Sequence, residues 1–352
     1  MKVISINTSK PYDVVIGCNI IGNAGSLLKN NIKSETIAVI CDDNVSKLYS
    51  KALCSSLENS SFRTVQFVFP HGESSKNAEN YLAILNFLAE KKISRSDAVI
   101  ALGGGVTGDL AGFAAATYMR GIPYIQIPTT LLAAVDSSIG GKTAIDLTAG
   151  KNLAGAFYQP SLVICDTETF STLPTREFKN GIGEIIKHGF LAGEDKFRSL
   201  EVPIHTNLEE TIAWNIEVKR DVVVSDEFEL GPRKLLNFGH TIGHAIEYLS
   251  SYKISHGEAV AAGMSIETRM AYRMGLCSEE CVKQLHNMIK LYDFETNTSC
   301  SPEELIEICL MDKKRSGSSI SLVLPLDIGN SIIKEIPIND LENYIKLGLE
   351  EI

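Results

Sequence analysis

A chain of 352 residues is long enough for two domains with sizeable hydrophobic cores. Its hydrophobic content of 44% is ordinary for a globular protein, and its net charge of -10 argues against a nucleic-acid-binding surface. No apolar run reaches the roughly eighteen residues of a membrane span, and the N-terminus lacks the apolar stretch of a secretory signal. The eight cysteines are scattered, so we expect reduced thiols and a cytoplasmic protein.

The first half of the chain alternates short apolar runs with helical stretches. Residues 1–16 alternate apolar and polar positions and predict an opening strand or hairpin. Thr36–Cys41 is a continuous apolar run, typical of a buried parallel strand. Further strands are predicted at Thr64–Phe69, Asp97–Leu102, Tyr124–Ile127 and Leu162–Cys165. This alternation predicts a Rossmann-like α/β domain with a mostly parallel sheet.

From about Leu173 onward, helical periodicity dominates. Helices are predicted at 206–224, 241–249, 258–274, 278–291 and 302–310, with a short β-like stretch at 319–324. Pro174 interrupts the chain where the pattern changes. We therefore predict an α/β domain at residues 1–172 and an all-α domain at residues 173–352.

A glycine cluster separates the third parallel strand from the next helix. Gly103, Gly105 and Gly108 satisfy G-x-G-x-x-G, which lets phosphate oxygens approach backbone N–H groups at a helix start. A tight strand-to-helix turn needs glycines in any case, and no acidic residue ends the next strand, at Ile125–Pro128. Asp42 is better placed to bind a ribose hydroxyl, although it is equally suited to cap a helix.

Three of the seven histidines lie in Leu235–Glu258. His240 and His244 are four residues apart in a helical stretch and share a face, while His256 follows a short polar connection. Because neutral imidazole is a common zinc ligand, the trio predicts a metal site. The pattern is not HExxH, since Thr241 replaces the glutamate. The alternative is that one or two of these rings only pack between helices.

Basic and amide side chains form a third group, in or beside glycine-rich or otherwise atypical segments. In an acidic protein, lysines that close such turns indicate a pocket for an anionic ligand, although each alone is more typical of a surface residue. Two segments, Gly140–Thr143 and Gly150–Asn152, resemble anion-binding turns. The group comprises Arg120, Lys142, Lys151, Asn152, Lys187, Lys219, Arg233 and Asn237.

Longer motifs resemble the 3-dehydroquinate synthase family of the sugar-phosphate cyclase superfamily. They are GGGVTGDLAGFAAATYMRG at Gly103–Gly121, PTTLLAAVDSSIGGKTAID at Pro128–Asp146, Gly150–Asn152, GEIIKHG at Gly183–Gly189, NFGHTIGH at Asn237–His244 and HGE at His256–Glu258. The resemblance extends from about Asp42 to Asp312–Lys314. It implies a dehydroquinate synthase-like fold, with an NAD-binding α/β domain and a helical domain that binds metal and substrate.

The resemblance also implies the cofactors and their ligands. A catalytic Zn²⁺, or Co²⁺, would be held by Glu184, His240 and His256, whereas His244 would lie beside the metal and serve the substrate. The implied metal ligands therefore differ from the histidine trio that spacing alone suggests. The implied NAD contacts are Asp42, Asn44, Glu73, Lys76, Gly104, Gly105, Val106, Asp109, Thr129, Thr130, Asp136, Lys142, Lys151, Thr172, Leu173 and Glu177.

The implied reaction is ring closure of 3-deoxy-D-arabino-heptulosonate 7-phosphate to 3-dehydroquinate and phosphate, in the shikimate pathway. We expect a sugar phosphate substrate, a homodimer, and neither a nucleic-acid nor a membrane partner. The implied substrate contacts are Arg120, Asp136, Lys142, Asn152, Lys187, Lys219, Arg233, Asn237 and His244, with Lys313 or Lys314 in addition.

Rival functions remain. Another cyclase, of the inosose or valiolone type, is disfavoured by Lys219, Arg233 and Asn237, because these residues suit a substrate carboxylate. An NAD- and metal-dependent polyol dehydrogenase shares the architecture but not this set of lysines, and it would show net turnover of NAD. A non-enzymatic metal- or nucleotide-binding module leaves the many pocket lysines unexplained.

Overall fold

The computed structural model describes residues 1–313 and 318–350. The chain forms two compact units, Met1–Phe178 with Leu208–Phe228 and Lys179–Asn207 with Glu229–Ile352. Within the described ranges, no helix combines the length and the apolar character that a membrane span needs. The α-helices are α1 Ala24–Asn31, α2 Asp43–Val45, α3 Lys51–Asn59, α4 Ala78–Glu90, α5 Gly105–Thr117, α6 Thr175–Ala192, α7 Glu194–Ser199, α8 Leu208–Ser225, α9 His240–Leu249, α10 His256–Arg273, α11 Glu279–Leu291, α12 Pro302–Lys313 and α13 Leu341–Leu349.

A mostly parallel sheet organises the first unit. Its strands are β1 Lys2–Ile6, β2 Tyr12–Gly17, β3 Thr36–Asp42, β4 Arg63–Phe69, β5 Ala98–Gly103, β6 Tyr124–Pro128 and β9 Leu162–Asp166, with β7 Lys142–Leu147 and β8 Gly150–Phe157 forming a separate antiparallel hairpin. The order in the seven-stranded sheet is β1-β2-β9-β6-β5-β3-β4. Strand β1 pairs antiparallel with β2, and the other pairs are parallel.

The continuous apolar runs are explained by burial on both faces of this sheet. In β3, Ile37 and Val39 belong to the core layer that contains Leu53 of α3. The alternate residue Ile40 belongs to the opposite layer, with Leu110 of α5. A central strand such as β3 therefore has no solvent-facing side, and period-two alternation is absent from its sequence, whereas the edge strands β1 and β4 keep exposed residues.

The order of the strands creates a topological switch point at β3. The chain passes from β3 to β4 on one side and later places β5 on the other side. In open α/β sheets, the crevice outside the carboxyl ends of such strands is the usual ligand site. Asp42 ends β3 and Gly103 ends β5, so both lie at this crevice.

The first unit also includes α8, which the predicted division after residue 172 assigns to the other domain. The helix contacts β1 and β2 and buries Ile212, Ile216 and Val223. Its apolar face is therefore buried within the first unit. Because α8 lies between two segments of the second unit in sequence, neither unit is a single continuous stretch of chain. Sequence periodicity identifies such a helix but does not indicate which core it joins.

The second unit is mainly helical, as predicted, and its core includes α9, α10, α12 and α13. It is not purely α-helical, because β10 Ser319–Asp327 and β11 Asn330–Pro337 pair as an antiparallel hairpin. Ile320 and Leu322 of β10 belong to the same core as the helices. The β-like stretch at 319–324 is thus half of a hairpin whose apolar face completes the helical core.

Candidate active site

The second unit brings together one carboxylate and two imidazoles from three helices. Oε1 of Glu184, on α6, lies 3.4 Å from Nε2 of His240 and 3.3 Å from Nε2 of His256. Glu184 is fully buried, and Oε1 has no partner at hydrogen-bonding geometry among the residues that the structure describes. A buried carboxylate oxygen that faces two imidazole nitrogens is suited to a shared cation, and this donor set fits Zn²⁺.

The outer nitrogens of the two rings have hydrogen-bond acceptors. Nδ1 of His240 donates to the backbone oxygen of Phe238 at 3.1 Å, because a carbonyl can only accept. Nδ1 of His256 lies 2.9 Å from Oε2 of Glu247, a buried residue. These bonds turn Nε2 of each ring toward Glu184, which is the usual arrangement of metal-binding histidines.

Charge coupling favours the metal-binding forms of two of these residues. Burial raises the pKa of Glu184, but Lys187 and the two histidines outweigh burial and hold that pKa well below its ordinary value. Burial, reinforced by Lys187, holds the pKa of His240 well below its usual value, so its imidazole is neutral. Burial lowers the pKa of His256, but Glu184 and Glu247 outweigh it and raise the pKa to about 10. A cation bound at Nε2 of His256 would therefore displace a proton.

His244 is exposed beside this group. Its ring centroid lies 5.3 Å from that of His240 and 5.9 Å from that of His256. The ligand atoms of Glu184, His240 and His256 fall within 4.8 Å of one another, as do those of His244, Glu247 and His256. We favour the first set, because Glu247 already accepts a hydrogen bond from His256.

The turn before α9 fixes the position of His240. Gly239 has a φ of 77°, and its N–H donates to Oε2 of the fully buried Glu267 at 2.7 Å. A Cβ on Gly239 would lie 2.6 Å from the backbone oxygen of Val260 in α10. Glycine is therefore required both by the left-handed conformation and by the close approach of α9 to α10.

Three other predicted substrate residues of the second unit are Lys187, on α6, and Arg233 and Asn237, in the segment before α9. Lys187 is buried and pairs with Oε2 of Glu184. Arg233 is buried in the turn before His240, and Nδ2 of Asn237 donates to Oε1 of Glu229 at 3.1 Å. Lys313 or Lys314 is also predicted to contact the substrate, but both side chains lie outside the part of the chain that the structure describes.

Two side chains with specific contacts were assigned no role from the sequence. Glu247 lies seven residues after His240, a spacing that places both on one helix face and was the available signal. Glu229 precedes α9 and has a φ of 60°, which is uncommon for a residue with a Cβ. No sequence pattern that we used indicates this conformation.

In the first unit, Asp42 lies at the switch-point crevice and caps the helix that follows. Its Oδ1 accepts the N–H groups of Asn44 and Val45, each at 2.9 Å. Its Oδ2 makes neither of these bonds, so the capping and the ribose-binding interpretations of Asp42 are compatible.

The motif glycines serve close packing as well as an open helix start. A Cβ on Gly103 would lie 2.4 Å from Oγ1 of Thr107, and a Cβ on Gly108 would lie 2.8 Å from Oε1 of Gln126. Gly104 is the N-cap of α5 and Gly105 is its first residue. Backbone N–H groups at this helix start are suited to an anion such as a pyrophosphate.

A buried lysine joins several predicted contacts of NAD and substrate. Nζ of Lys76 contacts Oδ2 of Asp109 and Oδ1 of Asn152. Burial lowers the pKa of Lys76, but Asp109 and other nearby carboxylates outweigh burial and raise it, so the amine is charged. At the surface, Lys151 pairs with Glu73 at 3.4 Å. The structure thus places five residues that are predicted to contact NAD or the substrate in two groups of direct contacts, Lys76 with Asp109 and Asn152, and Lys151 with Glu73.

Asp136 and Lys219 form a second pair within the first unit. Nζ of Lys219 donates to the backbone oxygen and to Oδ1 of Asp136, both at 2.6 Å. Lys142 is exposed at the start of β7, and Arg120 is exposed with a φ of 67°.

The remaining predicted NAD residues also lie in the first unit. Val106 is in the first turn of α5, and Thr129 and Thr130 follow β6. Thr172 contacts the hydroxyl of Tyr49 in the segment after β9. Two more follow it, Leu173 directly and Glu177 in the first turn of α6.

Comparison with known proteins gives one consistent family. Residues 66–180 match the model of the 3-dehydroquinate synthase N-terminal domain, and residues 181–315 match that of the C-terminal domain. A 3-dehydroquinate synthase of Clostridium acetobutylicum is 42% identical over 343 residues, which cover 96% of each chain.

Solved structures of other cyclases share the fold. A 2-deoxy-scyllo-inosose synthase complexed with carbaglucose-6-phosphate, NAD⁺ and Co²⁺ is 26% identical, with a TM-score of 0.87 over 99% of this chain and 100% of that chain. A 2-epi-5-epi-valiolone synthase from Streptomyces hygroscopicus, with NAD⁺ and Zn²⁺ bound, is 25% identical, with a TM-score of 0.84 over 96% of each chain. Matches to both domain models and 42% identity over nearly the whole length establish that this chain belongs to the 3-dehydroquinate synthase family of enzymes.

Proposed function

We propose that this chain converts 3-deoxy-D-arabino-heptulosonate 7-phosphate to 3-dehydroquinate and phosphate. The reaction is a phosphate elimination and ring closure, so the enzyme is a carbon–oxygen lyase of the shikimate pathway, which leads to aromatic amino acids. The observation that supports it most directly is the buried Oε1 of Glu184, which faces Nε2 of His240 and of His256 in a member of this family. We expect a homodimer in the cytoplasm.

The proposed cofactors are NAD and Zn²⁺, with Co²⁺ as an alternative metal. The two related cyclase structures contain NAD⁺ with Co²⁺ or with Zn²⁺. When bound, NAD supplies reversible hydride transfer at the substrate C5 carbinol, and the metal supplies Lewis-acid polarisation of the C4 and C5 oxygens. Glu184, His240 and His256 would hold the metal, and three protein ligands leave positions open for a substrate diol.

The α/β domain, residues 1–172 in the predicted division, would bind NAD. Asp42 would accept a ribose hydroxyl, and Gly104 and Gly105 would receive the pyrophosphate at the start of α5. Asp109 and Lys76 would support this region through their buried contact. The helical domain, residues 173–352, would supply the metal ligands and a part of the substrate site.

The substrate carries both a carboxylate and a phosphate, which accounts for the excess of basic side chains. Lys142, Lys187, Lys219, Arg120 and Arg233 would provide positive charge. The amides of Asn152 and Asn237, with His244, would provide hydrogen bonds. Holding one flexible molecule through several steps reduces the entropic cost of each step. Departing phosphate can serve as its own base, so these residues would act mainly through positioning and electrostatics.

Another sugar-phosphate cyclase activity is the first alternative. The chain is 42% identical to a protein named as a 3-dehydroquinate synthase but only 26% and 25% identical to the inosose and valiolone synthases. The positive charges of Lys219 and Arg233 also suit a substrate with a carboxylate. Purified protein should therefore turn over the heptulosonate phosphate and leave the sugar phosphates of the other cyclases unchanged.

The decisive experiment measures product and cofactor together. With the heptulosonate phosphate in large excess over NAD, phosphate and 3-dehydroquinate should form in equal amounts, and NADH should not accumulate. The hydride removed at C5 must return to the substrate after phosphate has left, because ring closure cannot otherwise follow. NAD is therefore regenerated in each cycle. Steady NADH production from glycerol or a similar polyol, without phosphate release from the heptulosonate phosphate, would instead identify a dehydrogenase.

A further inference from the structure

We infer that Glu247 is a positioning residue for the metal site, where its carboxylate holds the ring of His256 so that Nε2 faces the metal. The inference rests on the proposed metal site and adds a residue that is not among its ligands. Nδ1 of His256 lies 2.9 Å from Oε2 of Glu247, while Nε2 of the same ring lies 3.3 Å from Oε1 of Glu184. One nitrogen of the imidazole is therefore held by Glu247, while the other faces Glu184.

The position of Glu247 in α9 allows one helix to orient two ligands. His240 is the first residue of α9, and Glu247 follows two turns later on the same face. The backbone oxygen of Glu247 accepts the N–H of Tyr252 at 2.9 Å and the hydroxyl of Ser250 at 2.8 Å. Glu247 is thus held near the end of α9 by the start of the loop that leads to His256.

His256 needs such support because of where it lies in the chain. It is the first residue of α10, directly after Ser255, the N-cap. A side chain at a helix start has no preceding turn of its own helix to restrict its rotamer. A buried carboxylate acceptor restricts the ring and keeps the proton on Nδ1, which leaves the Nε2 lone pair for the metal. Loss of such an outer hydrogen bond typically weakens metal binding by about 10–100-fold.

The competing interpretation makes Glu247 a metal ligand, in a group with His244 and His256. Nδ1 of His256 cannot donate a proton to Glu247 and bind a metal at the same time. The distance of 2.9 Å between Nδ1 and Oε2 is that of a hydrogen bond, and Glu247 is buried whereas His244 is exposed. A positioning role therefore explains the observed geometry without a second metal ion.

The test compares Glu247→Gln and Glu247→Ala with a matched variant, Glu258→Gln. Gln at 247 keeps an acceptor but removes the charge, and Ala removes both. Glu258 lies two residues from His256, but its Oε2 accepts from the N–H and hydroxyl of Ser255, and Gln also satisfies such a capping box. The readouts are zinc dissociation constants by chelator competition, the visible spectrum of the Co²⁺-loaded protein, and the melting temperature of the metal-free protein.

We expect zinc affinity to fall by about 10-fold in Glu247→Gln and about 100-fold in Glu247→Ala, with an altered Co²⁺ spectrum. Glu258→Gln should retain the wild-type affinity and spectrum. Wild-type affinity and spectrum in both Glu247 variants would overturn the inference, and Glu247→Gln alone decides if Glu247→Ala does not fold. Two zinc ions per wild-type chain, one of them lost in Glu247→Ala, would also overturn it. Wild-type protein without zinc would instead refute the proposed metal site itself.

Discussion

Gly183 of α6 packs directly against Gly257 of α10. A Cβ on Gly183 would lie 2.4 Å from the backbone oxygen of Gly257. The N–H of Gly257 also donates to Oδ1 of Asn180, one turn earlier in α6, at 2.6 Å. Because Glu184 follows Gly183 and His256 precedes Gly257, this contact sets the separation of two predicted metal ligands.

Gly183→Ala should therefore weaken both the fold and metal binding. The added methyl group meets backbone atoms, which cannot move aside as a flexible side chain can. Overpacking of this kind costs about 1–3 kcal/mol of unfolding free energy. We expect zinc affinity to fall as well, because α6 must shift away from α10. Chemical denaturation and chelator competition measure the two effects.

Gly22→Ala is the matched control, since a Cβ on Gly22 meets no atom within 4 Å. Its unfolding free energy should change by less than about 0.5 kcal/mol, and its zinc affinity should not change. Equal effects of the two substitutions would show that the packing of Gly183 against Gly257 is not what positions the ligands.

Removal of single histidines should separate ligands from neighbours. His240→Ala and His256→Ala should each abolish tight zinc binding, because each loses an Nε2 that faces Glu184. His244→Ala should leave zinc largely bound and lower turnover, since its exposed ring is predicted to serve the substrate. Metal content after dialysis decides between these outcomes. A His244 variant that loses zinc as completely as the other two would refute the assignment.

Much of the fold could be predicted from local sequence. The run Thr36–Cys41 predicted a strand that the structure gives as Thr36–Asp42, because a strand buried on both faces has an unmistakable apolar composition. The β7–β8 hairpin was not predicted, since β8 is glycine-containing and largely exposed and lacks this signal. The placement of α8 with the sheet unit depends on tertiary contacts that periodicity does not encode.

The candidate metal site shows a similar limit. Spacing placed His240 and His244 on one helix face but gave no information about the direction of each ring. In the structure, His240 directs Nε2 toward a buried carboxylate from another helix, whereas His244 is exposed. The carboxylate, Glu184, is distant in sequence, and only the family resemblance identified it beforehand. Its role as a ligand remains a prediction.

Lys76→Met should test the buried contact that joins the predicted NAD and substrate residues. The substitution removes a charged amine from between Asp109 and Asn152. Because it leaves a poorly solvated carboxylate without its partner, we expect a loss of about 3 kcal/mol in unfolding free energy and weaker NAD binding. Denaturant titration and isothermal titration with NAD measure these changes.

Lys151→Met provides the contrast for Lys76→Met. Lys151 pairs with Glu73 at 3.4 Å, and both side chains are more than a third exposed. Exposed pairs contribute about 0–1 kcal/mol, so stability should hardly change while NAD binding weakens. Equal stability losses in the two variants would contradict the buried role of Lys76.

The contact between Lys219 and Asp136 should couple stability to turnover. Nζ of Lys219 donates to the backbone oxygen and to Oδ1 of Asp136, both at 2.6 Å, and Lys219 is buried. Lys219→Met should cost about 3 kcal/mol of unfolding free energy, because it removes the charged donor that contacts Oδ1 of a partly buried carboxylate. Asp136→Asn should cost less, since an amide oxygen still accepts the hydrogen bond.

The double variant Lys219→Met with Asp136→Asn completes a thermodynamic cycle for the contact between these two residues. We expect a coupling energy of about 1–2 kcal/mol between the two substitutions, because they share one contact. The charge of Lys219 is predicted to stabilise the transition state in addition to its contact with Asp136. Lys219→Met should therefore also lower kcat by roughly 100-fold. Unfolding free energies that add within about 0.5 kcal/mol would show that the pair is not coupled. Unchanged kcat in a folded Lys219→Met protein would remove Lys219 from the predicted substrate site.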